Sequence, residues 1–279
     1  MRVELTDVVL RDGLQDEPGV VSTSDKVEVA RALLAAGLRV LEVASFVSPS
    51  KVPQLADAED VLAALPRPAD VRWCGIALNA RGVRRAARTR LDELRIVVSA
   101  GAGHSRANAG RETGDALAEF ADALSSFPGH VVGAVSTAFH CPYDGPVPLA
   151  RLLSVVRGFR EMGVREISLA DTLGTASTDQ VLRSVHAVRE EFPDAVLSLH
   201  LHDAHGQALS TVDAAIAAGV SRFDSALGGL GGCPFAPGAS GNLATEALVE
   251  HLHRRGVETG VSEAALSAAR ERLATALRA

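Results

Sequence analysis

The chain has 279 residues, with 28 lysines and arginines against 34 acidic residues and a formal net charge of −6. Hydrophobic residues make up 47% of it but aromatic residues only 4%, so Ala, Val and Leu supply the apolar core. This composition excludes a mainly disordered chain. The mild acidity argues against nucleic acid as a partner. No apolar run approaches the ~18 residues of a membrane span, so we expect no membrane partner either.

Short β-branched runs alternate with longer Ala-, Leu- and Arg-rich segments along the whole chain. Several of the runs are almost unbroken apolar sequence, which is typical of parallel strands covered on both faces. Helices are expected between them, for example over Ser24–Ala36 and Thr178–Phe192. The predicted strands, in chain order, are Val3–Leu10, Arg39–Phe46, Val71–Leu78, Leu94–Ser99, Val131–Phe139, Glu166–Asp171, Val196–His202 and Arg222–Leu227.

Eight strands at a spacing of roughly 30 residues, each followed by a helix, are typical of a (β/α)8 barrel. An open doubly wound sheet is the alternative. We prefer the barrel because the count reaches eight and no Pro- or Gly-rich linker divides the chain. The predicted fold is therefore α/β, a single TIM-barrel domain over residues 1–279, with the barrel at about 3–258 and a short extra helix at about 262–278.

Polar residues collect at the predicted C-terminal strand ends, where the active site of such a barrel lies. The first strand ends in Arg11 and Asp12, and the sixth ends in Asp171. An Arg-Asp pair can also be a simple structural ion pair. Glu42 lies inside the apolar second strand, and a buried carboxylate requires a partner. Arg11 is the candidate for that partner.

The seventh strand carries the sharpest pattern, His200-Leu201-His202, in which both imidazoles point to one face. A pair of hydrogen-bonded histidines is the alternative to a metal site. Asp12 favours the metal site, because the seventh and first strands lie only two apart in a closed barrel. Two histidines with a carboxylate favour Mg²⁺ or Mn²⁺ over a structural zinc ion.

A glycine-rich segment follows the eighth strand, from Gly228 to Asn242, and contains Cys233. Glycines at this density let a loop approach or close over a ligand. Cys233 is a candidate proton donor, although a lone cysteine is more often an inert small hydrophobe. The other two cysteines, Cys74 and Cys141, form no CxxC motif with it, a pattern that fits a reducing, cytoplasmic location.

The chain resembles the 3-hydroxy-3-methylglutaryl-CoA lyases, a family of metal-dependent barrels related to isopropylmalate synthase. Five blocks in order along nearly the whole chain carry the resemblance: LRDGLQDEPGVVST from Leu10, LEVASFVSPSKVPQLAD from Leu41, EISLADTLG from Glu166, LHLHDAHGQAL from Leu199 and GGLGGCPFAPGASGNLATE from Gly228. The cysteine in the last block distinguishes the lyases from the synthases. The resemblance implies cleavage of 3-hydroxy-3-methylglutaryl-CoA (HMG-CoA) to acetyl-CoA and acetoacetate, as in leucine degradation and ketone-body formation, by a homodimer.

Residue by residue, the resemblance implies a site that holds a divalent cation, Mg²⁺ or Mn²⁺, and an acyl-CoA substrate. Arg11 would stabilise the enolate oxygen and Cys233 would act as acid and base. The supporting catalytic residues would be Asp171 and Glu42, and the substrate-binding residues Gln15, Thr172 and Asn108. The implied metal ligands are Asp12, His200, His202 and Asn242.

The chain departs from the family after the fourth strand, where the family has SESFSxxN. Here Ser99 is followed by Ala100, Gly101, Ala102, Gly103 and His104, so the Glu and an aromatic residue are lost while Asn108 is kept. The acyl substrate is therefore less defined than the reaction. A related metal-dependent retro-aldolase acting on a hydroxy or oxo acid without CoA is the alternative, and a non-catalytic binding barrel is a third.

Overall fold

Eight parallel strands form a closed barrel in the computed structural model, which describes residues 1–232 and 240–278. They are β1 (Glu4–Asp7), β2 (Val40–Ser45), β3 (Arg72–Ala77), β4 (Glu93–Ser99), β5 (His130–Ser136), β8 (Glu166–Asp171), β9 (Val196–Leu201) and β10 (Arg222–Ser225). A short antiparallel pair, β6 (His140–Cys141) and β7 (Gly145–Pro146), follows β5. Each barrel strand pairs with the next one, and β10 closes the barrel against β1. The predicted TIM barrel is confirmed.

Helices surround the barrel, and several begin with serine caps. The Ser22 and Ser177 hydroxyls accept hydrogen bonds from the amides three residues later, which satisfies donors that helix starts leave unpaired. The helices are α1 (Thr23–Ala35), α2 (Ala58–Ala64), α3 (Ala80–Ala86), α4 (Ala102–Ala109), α5 (Thr113–Ala123), α6 (Leu149–Glu161), α7 (Thr178–Glu191), α8 (Ala208–Ala217), α9 (Thr245–Arg254) and α10 (Glu263–Ala276). Within the described ranges, none of them has the length and apolar character needed to cross a membrane.

The strand predicted over Val3–Leu10 is wrong at its C-terminal end, because β1 stops at Asp7 and Val9–Gly13 form a π-helical turn. The Val8 carbonyl accepts three successive amides of this turn, at 2.8 to 3.2 Å. These local bonds outweigh the β preference of the Val-Val-Leu sequence, since strand propensity depends on packing context. The fifth and eighth strands also end earlier than predicted, and in β5 the reason is Thr137, whose φ of 48° turns the backbone.

Helix α10 lies outside the barrel and packs against α1. Its buried residues recur at helical spacing: Leu266, Ala269, Leu273 and Ala276. Arg272 Nη2 adds an ion pair of 2.6 Å to Asp25 Oδ1. The turn after α1 approaches the segment before α10 so closely that a Cβ at Gly37 would lie 2.2 Å from the Gly260 carbonyl oxygen. The predicted C-terminal helix is confirmed, beginning one residue later and ending two residues earlier than expected.

Candidate active site and metal centre

A cavity opens at the C-terminal end of the barrel strands and contains most of the predicted site residues. Asp171 and Asn242 do not line it. Cys233 lies outside the described residues, as do the six residues that follow it. The predicted residues that line the cavity are Arg11, Asp12, Gln15, Glu42, Asn108, Thr172, His200 and His202. Residues that are far apart in sequence therefore share one site.

Asp12, His200 and His202 form a buried cluster in which one ligand atom from each lies within 4.8 Å of the others. The two Nε2 atoms are 3.2 Å apart. Asp12 Oδ2 is 3.9 Å from Nε2 of His200 and 3.8 Å from Nε2 of His202. Because β10 alone separates β9 from β1, the closed barrel brings the imidazoles to the turn that follows β1.

Second partners hold both imidazoles so that their Nε2 atoms face Asp12. Nδ1 of His202 is 2.6 Å from the Ser240 carbonyl oxygen, and Nδ1 of His200 is 3.2 Å from Asp224 Oδ2. A carbonyl or carboxylate behind a histidine fixes its ring and its tautomer, the arrangement found around metal-binding histidines.

Asn242 completes an oxygen and nitrogen donor set suited to a divalent cation. Its Nδ2 donates to Asp12 Oδ2 at 2.7 Å and to the Leu230 carbonyl at 2.9 Å. Its Oδ1 is buried and has no hydrogen-bond partner among the described residues. A buried polar oxygen without a partner is costly, and a hard cation beside it would remove that cost. The residues present therefore fit Mg²⁺ or Mn²⁺.

The charge states of Asp12 and His202 suit cation binding. For His200, burial alone would lower the pKa, but the carboxylates of Asp224 and Asp12 raise it. Burial by itself raises the pKa of Asp12, but the charge of Arg11 and the two histidines outweigh it and hold the pKa below its usual value. Burial, with His200 adding to it, lowers the pKa of His202 to about 4. At neutral pH, Asp12 is thus ionised and His202 neutral, the forms in which these side chains bind metals.

Arg11 lies beside the cluster and is held by two carboxylates. Its Nε bonds to Glu42 Oε1 and its Nη1 to Asp12 Oδ1. Glu42 is fully buried, so the expected pairing with Arg11 is present. Gln15 Nε2 donates to Asp12 Oδ1 at 3.1 Å and to the Gly232 carbonyl at 2.6 Å, which ties the start of the glycine-rich segment to the site.

Asp171 lies at the end of β8, but its carboxylate does not face the cavity. It accepts the amides of Gly174 and Ala176 at 3.1 and 3.0 Å, and so closes the loop that follows the strand. Burial raises its pKa. The neighbouring Thr172 does line the cavity, and its hydroxyl accepts the Thr137 amide at 2.8 Å.

The segment after β4 that departs from the family contributes His104 to the cavity wall. His104, in the segment where the family's Glu and aromatic residue are lost, is buried there, and its Nδ1 is 2.7 Å from Ser99 Oγ. Burial lowers the pKa of His104 to about 4, so the imidazole is neutral at pH 7. Ser99 Oγ is in turn 3.0 Å from Ser136 Oγ, which makes this wall of the cavity polar.

Two charged residues of the site were not predicted from the sequence, Arg95 in β4 and Asp224 in β10. Arg95 lines the cavity and bonds to Asp224, which lies behind His200. Arg95 interrupts the apolar run Leu94-Arg95-Ile96, and Asp224 lies between Phe223 and Ser225 inside the predicted eighth strand. A charge inside a predicted buried strand is the same signal that identified Glu42, and it was present at both positions.

The family model described as HMGL-like matches residues 2–272. The chain belongs to the HMGL-like family. A 3-hydroxy-3-isohexenylglutaryl-CoA/hydroxy-methylglutaryl-CoA lyase of Pseudomonas aeruginosa is 37% identical over 279 residues, covering 99% of this chain and 93% of that protein. An (R)-citramalyl-CoA lyase of Chloroflexus aurantiacus is 38% identical over 288 residues, covering 99% and 91%.

Solved structures agree with this membership. An HMG-CoA lyase from Acinetobacter baumannii, solved in complex with coenzyme A and 3-methylmalate, superposes with a TM-score of 0.95 at 37% identity, covering 99% of this chain and 92% of that one. The predicted resemblance is thus confirmed, and the chain is a lyase of the HMGL-like family.

Proposed function

We propose that the protein cleaves the bond between C2 and C3 of HMG-CoA, giving acetyl-CoA and acetoacetate, with a divalent cation as cofactor. The observation that supports this most is the buried cluster of Asp12, His200 and His202 with Arg11 beside it at the barrel mouth. The relatives named as HMG-CoA lyases support the substrate.

The cation would be held by Asp12, His200, His202 and Asn242. When bound, it supplies Lewis acidity that lowers the pKa of the substrate's 3-hydroxyl group. Mg²⁺ and Mn²⁺ are the proposed ions because the donor set combines a carboxylate, an amide oxygen and imidazoles without a thiolate.

Arg11 stabilises the negative charge that develops on the thioester oxygen as the acetyl-CoA enolate departs. An arginine carries five N–H donors, and the bonds to Glu42 and Asp12 use two of them while fixing the plane of the guanidinium. The remaining donors are held in a fixed geometry for the enolate oxygen. Preorganised donors of this kind are usually the largest catalytic contribution.

Cys233 is proposed to protonate the enolate carbon and so release acetyl-CoA. Gly232, the residue before Cys233, accepts a hydrogen bond from Gln15, which also donates to Asp12, and this supports the assignment. Glu42 acts by orienting Arg11, and Asp171 by shaping the loop after β8. Thr172 and Asn108 are proposed to contact the substrate from the cavity wall.

A second candidate substrate is citramalyl-CoA, in which the carboxylate is attached directly to C3 instead of through a methylene. The polar wall of His104, Ser99 and Ser136 suits either substrate, because a neutral imidazole and hydroxyls can bond to a carboxylate attached at C3 or one methylene farther away. The relative that is an (R)-citramalyl-CoA lyase supports this second candidate. Both substrates release acetyl-CoA by the same bond cleavage.

The test is to incubate the Mn²⁺-loaded protein with HMG-CoA, with citramalyl-CoA and with the corresponding free acids, and to identify both products by mass spectrometry. We expect acetyl-CoA and acetoacetate from HMG-CoA. Arg11→Gln should lower turnover by about 10²-fold or more, whereas Arg160→Gln, in α6 and not among the residues that line the cavity, should not. Cleavage of the free acids alone would replace this proposal with the retro-aldolase that does not use CoA.

We also propose that residues 1–279 form one catalytic domain, and that the enzyme is a cytoplasmic homodimer. Cys74 and Cys141 are both free and buried, which supports a reducing location. The dimer follows from the resemblance alone, and light scattering on the purified protein tests it.

A further inference from the structure

Arg95 is a buried arginine in the middle of a barrel strand. It alternates with Leu94 and Ile96 along β4, so its side chain points to the barrel interior, where it lines the cavity floor with Val97. Only 6% of its surface is exposed. Neither its place in an apolar strand nor the reaction itself accounts for an arginine at this position.

The guanidinium of Arg95 spans the barrel interior. Its Nη1 is 2.6 Å from Asp224 Oδ2 in β10, a strand four places away around the barrel of eight. Its Nε is 3.1 Å from Glu93 Oε1 in its own strand and 3.4 Å from Glu42 Oε2 in β2. Its Nη2 is 3.1 Å from Thr6 Oγ1 in β1.

Two of these carboxylates also hold a residue of the active site. Asp224 Oδ2, which bonds to Arg95, is 3.2 Å from Nδ1 of the cation-binding His200. The other oxygen of Glu42 bonds to Arg11. Glu42 Oε2 has no hydrogen bond among the described residues, and Arg95 is the cation beside it. One guanidinium therefore connects the two chemically distinct halves of the site.

We propose that Arg95 is a positioning residue that holds Asp224 behind His200 and Glu42 behind Arg11. In this arrangement one side chain fixes both the imidazole that binds the cation and the guanidinium that stabilises the enolate. We call the contacts from Arg95 through Glu42 to Arg11 the Glu42 arm, and those from Arg95 through Asp224 to His200 the Asp224 arm. The Glu42 arm rests on the proposed function. The Asp224 arm concerns cation binding alone and is independent of the substrate.

Arg95→Lys tests the inference because it keeps the charge and removes the planar fork. A lysine ammonium is a point charge and does not reproduce the fixed fork geometry that joins Asp224 and Glu42. We expect the dissociation constant for Mn²⁺, measured by titration without substrate, to rise by about 10-fold or more, the range for loss of groups behind a metal ligand. At saturating Mn²⁺ and substrate, kcat should still fall, because the Glu42 arm is also lost.

Asp224→Asn separates the two arms. Asp224→Asn should weaken Mn²⁺ binding about as much as Arg95→Lys does. Because both substitutions act on His200 through the same contacts, the double variant should bind Mn²⁺ no more weakly than the single variant with the lower Mn²⁺ affinity. The matched control is Arg160→Lys, which alters a double contact of Arg160 with Asp194 on the outside of the barrel. That variant should leave the Mn²⁺ affinity and kcat within twofold.

The inference is overturned if Arg95→Lys lowers thermal stability but leaves the Mn²⁺ affinity and kcat within twofold, since Arg95 is then only structural. If the losses of Mn²⁺ affinity in the two single variants multiply in the double variant, Arg95 does not act on His200 through Asp224. If Arg95→Lys does not fold, Arg95→Gln combined with Glu93→Gln conserves the net charge of the cluster, and the same measurements decide. Protein that binds Mn²⁺ with the expected coupling yet cleaves no HMG-CoA would refute the proposed function and leave the Asp224 arm standing.

Discussion

Carboxylates at the barrel mouth each serve two partners, and this sharing gives the site its geometry. Asp12 contacts Arg11 through one oxygen and Asn242 through the other, and Asp224 bridges Arg95 and His200. Buried charges are stable only when they are paired and hydrogen bonded. The shared carboxylates therefore satisfy the burial requirement and orient the reactive groups at the same time.

Cys233→Ala tests the proposed proton donor. We expect turnover of HMG-CoA to fall by about 10²-fold or more, the usual scale of general acid catalysis. Mn²⁺ affinity should not change, because no thiol belongs to the donor set. Stopped-flow or steady-state assays of acetyl-CoA release measure the turnover, and titration measures the Mn²⁺ affinity. Cys141→Ala, which removes a buried free thiol, is the control, and equal rates in the two variants would remove Cys233 from the mechanism.

Asp7, at the end of β1, is a buried carboxyl for which the structure predicts an unusual pH dependence. Burial raises its pKa to about 7, although the Thr245 hydroxyl and the Val9 amide both bond to it. The folded protein thus holds a proton on Asp7 between about pH 4 and pH 7 that the unfolded chain has released. Stability from this group is present at low pH and is lost as the pH rises through that window.

Asp7→Asn should remove this loss. Relative to the unsubstituted protein, its free energy of unfolding should gain about 3 kcal/mol between pH 5 and pH 8, since each pKa unit corresponds to about 1.4 kcal/mol. Urea unfolding at the two pH values measures the difference. Asp194→Asn is the control, because its exposed carboxyl has a lowered pKa and is ionised throughout. If the difference in unfolding free energy between Asp7→Asn and the unsubstituted protein does not change with pH, Asp7 is not a buried neutral carboxyl.

At the scale of elements, the sequence predicted what periodic patterns encode and missed what long-range contacts decide. β8 has the predicted bounds, and the alternation in His200-Leu201-His202 correctly placed both imidazoles on one face. The π-helical turn after β1 was not predicted, because its Val-Val-Leu sequence favours a strand and the three local bonds to the Val8 carbonyl that override this preference have no sequence pattern of their own. Arg95 and Asp224 were visible as charges in apolar strands, but the pairing between them depends on closure of the barrel.

Helix α10 gives a test at this scale, because it packs against α1 outside the barrel and none of its residues lines the cavity. Leu273→Ala should lower the free energy of unfolding by about 2–5 kcal/mol, the range for a buried leucine. Ser267→Ala, on the exposed face of the same helix, should be nearly neutral. Turnover below the unfolding transition should be unchanged in both variants. Loss of activity in the folded Leu273→Ala protein would show that α10 influences the site.

At the scale of the whole molecule, the proposed cation site joins segments that are far apart in the chain. Asp12 follows the first strand, His200 belongs to the seventh and His202 comes directly after it, and Asn242 lies beyond the eighth. Asn242 is also paired through its backbone with His202, as Ala244 is with Ala226. A cation bound there would link the segments that follow the first and last strands of the barrel. The unfolded chain does not bring these residues together.

Metal binding should therefore stabilise the fold by mass action. At a Mn²⁺ concentration 100 times the dissociation constant, the gain is about 2.7 kcal/mol, which raises the melting temperature by roughly 5 °C or more for a chain of this size. Excess chelator should reverse the shift in a thermal unfolding experiment. Asp12→Asn should abolish it, because the variant loses the one anionic ligand, whereas Asp122→Asn on the exposed face of α5 should retain it. An identical Mn²⁺ shift in the Asp12→Asn protein would place the bound ion elsewhere on the molecule.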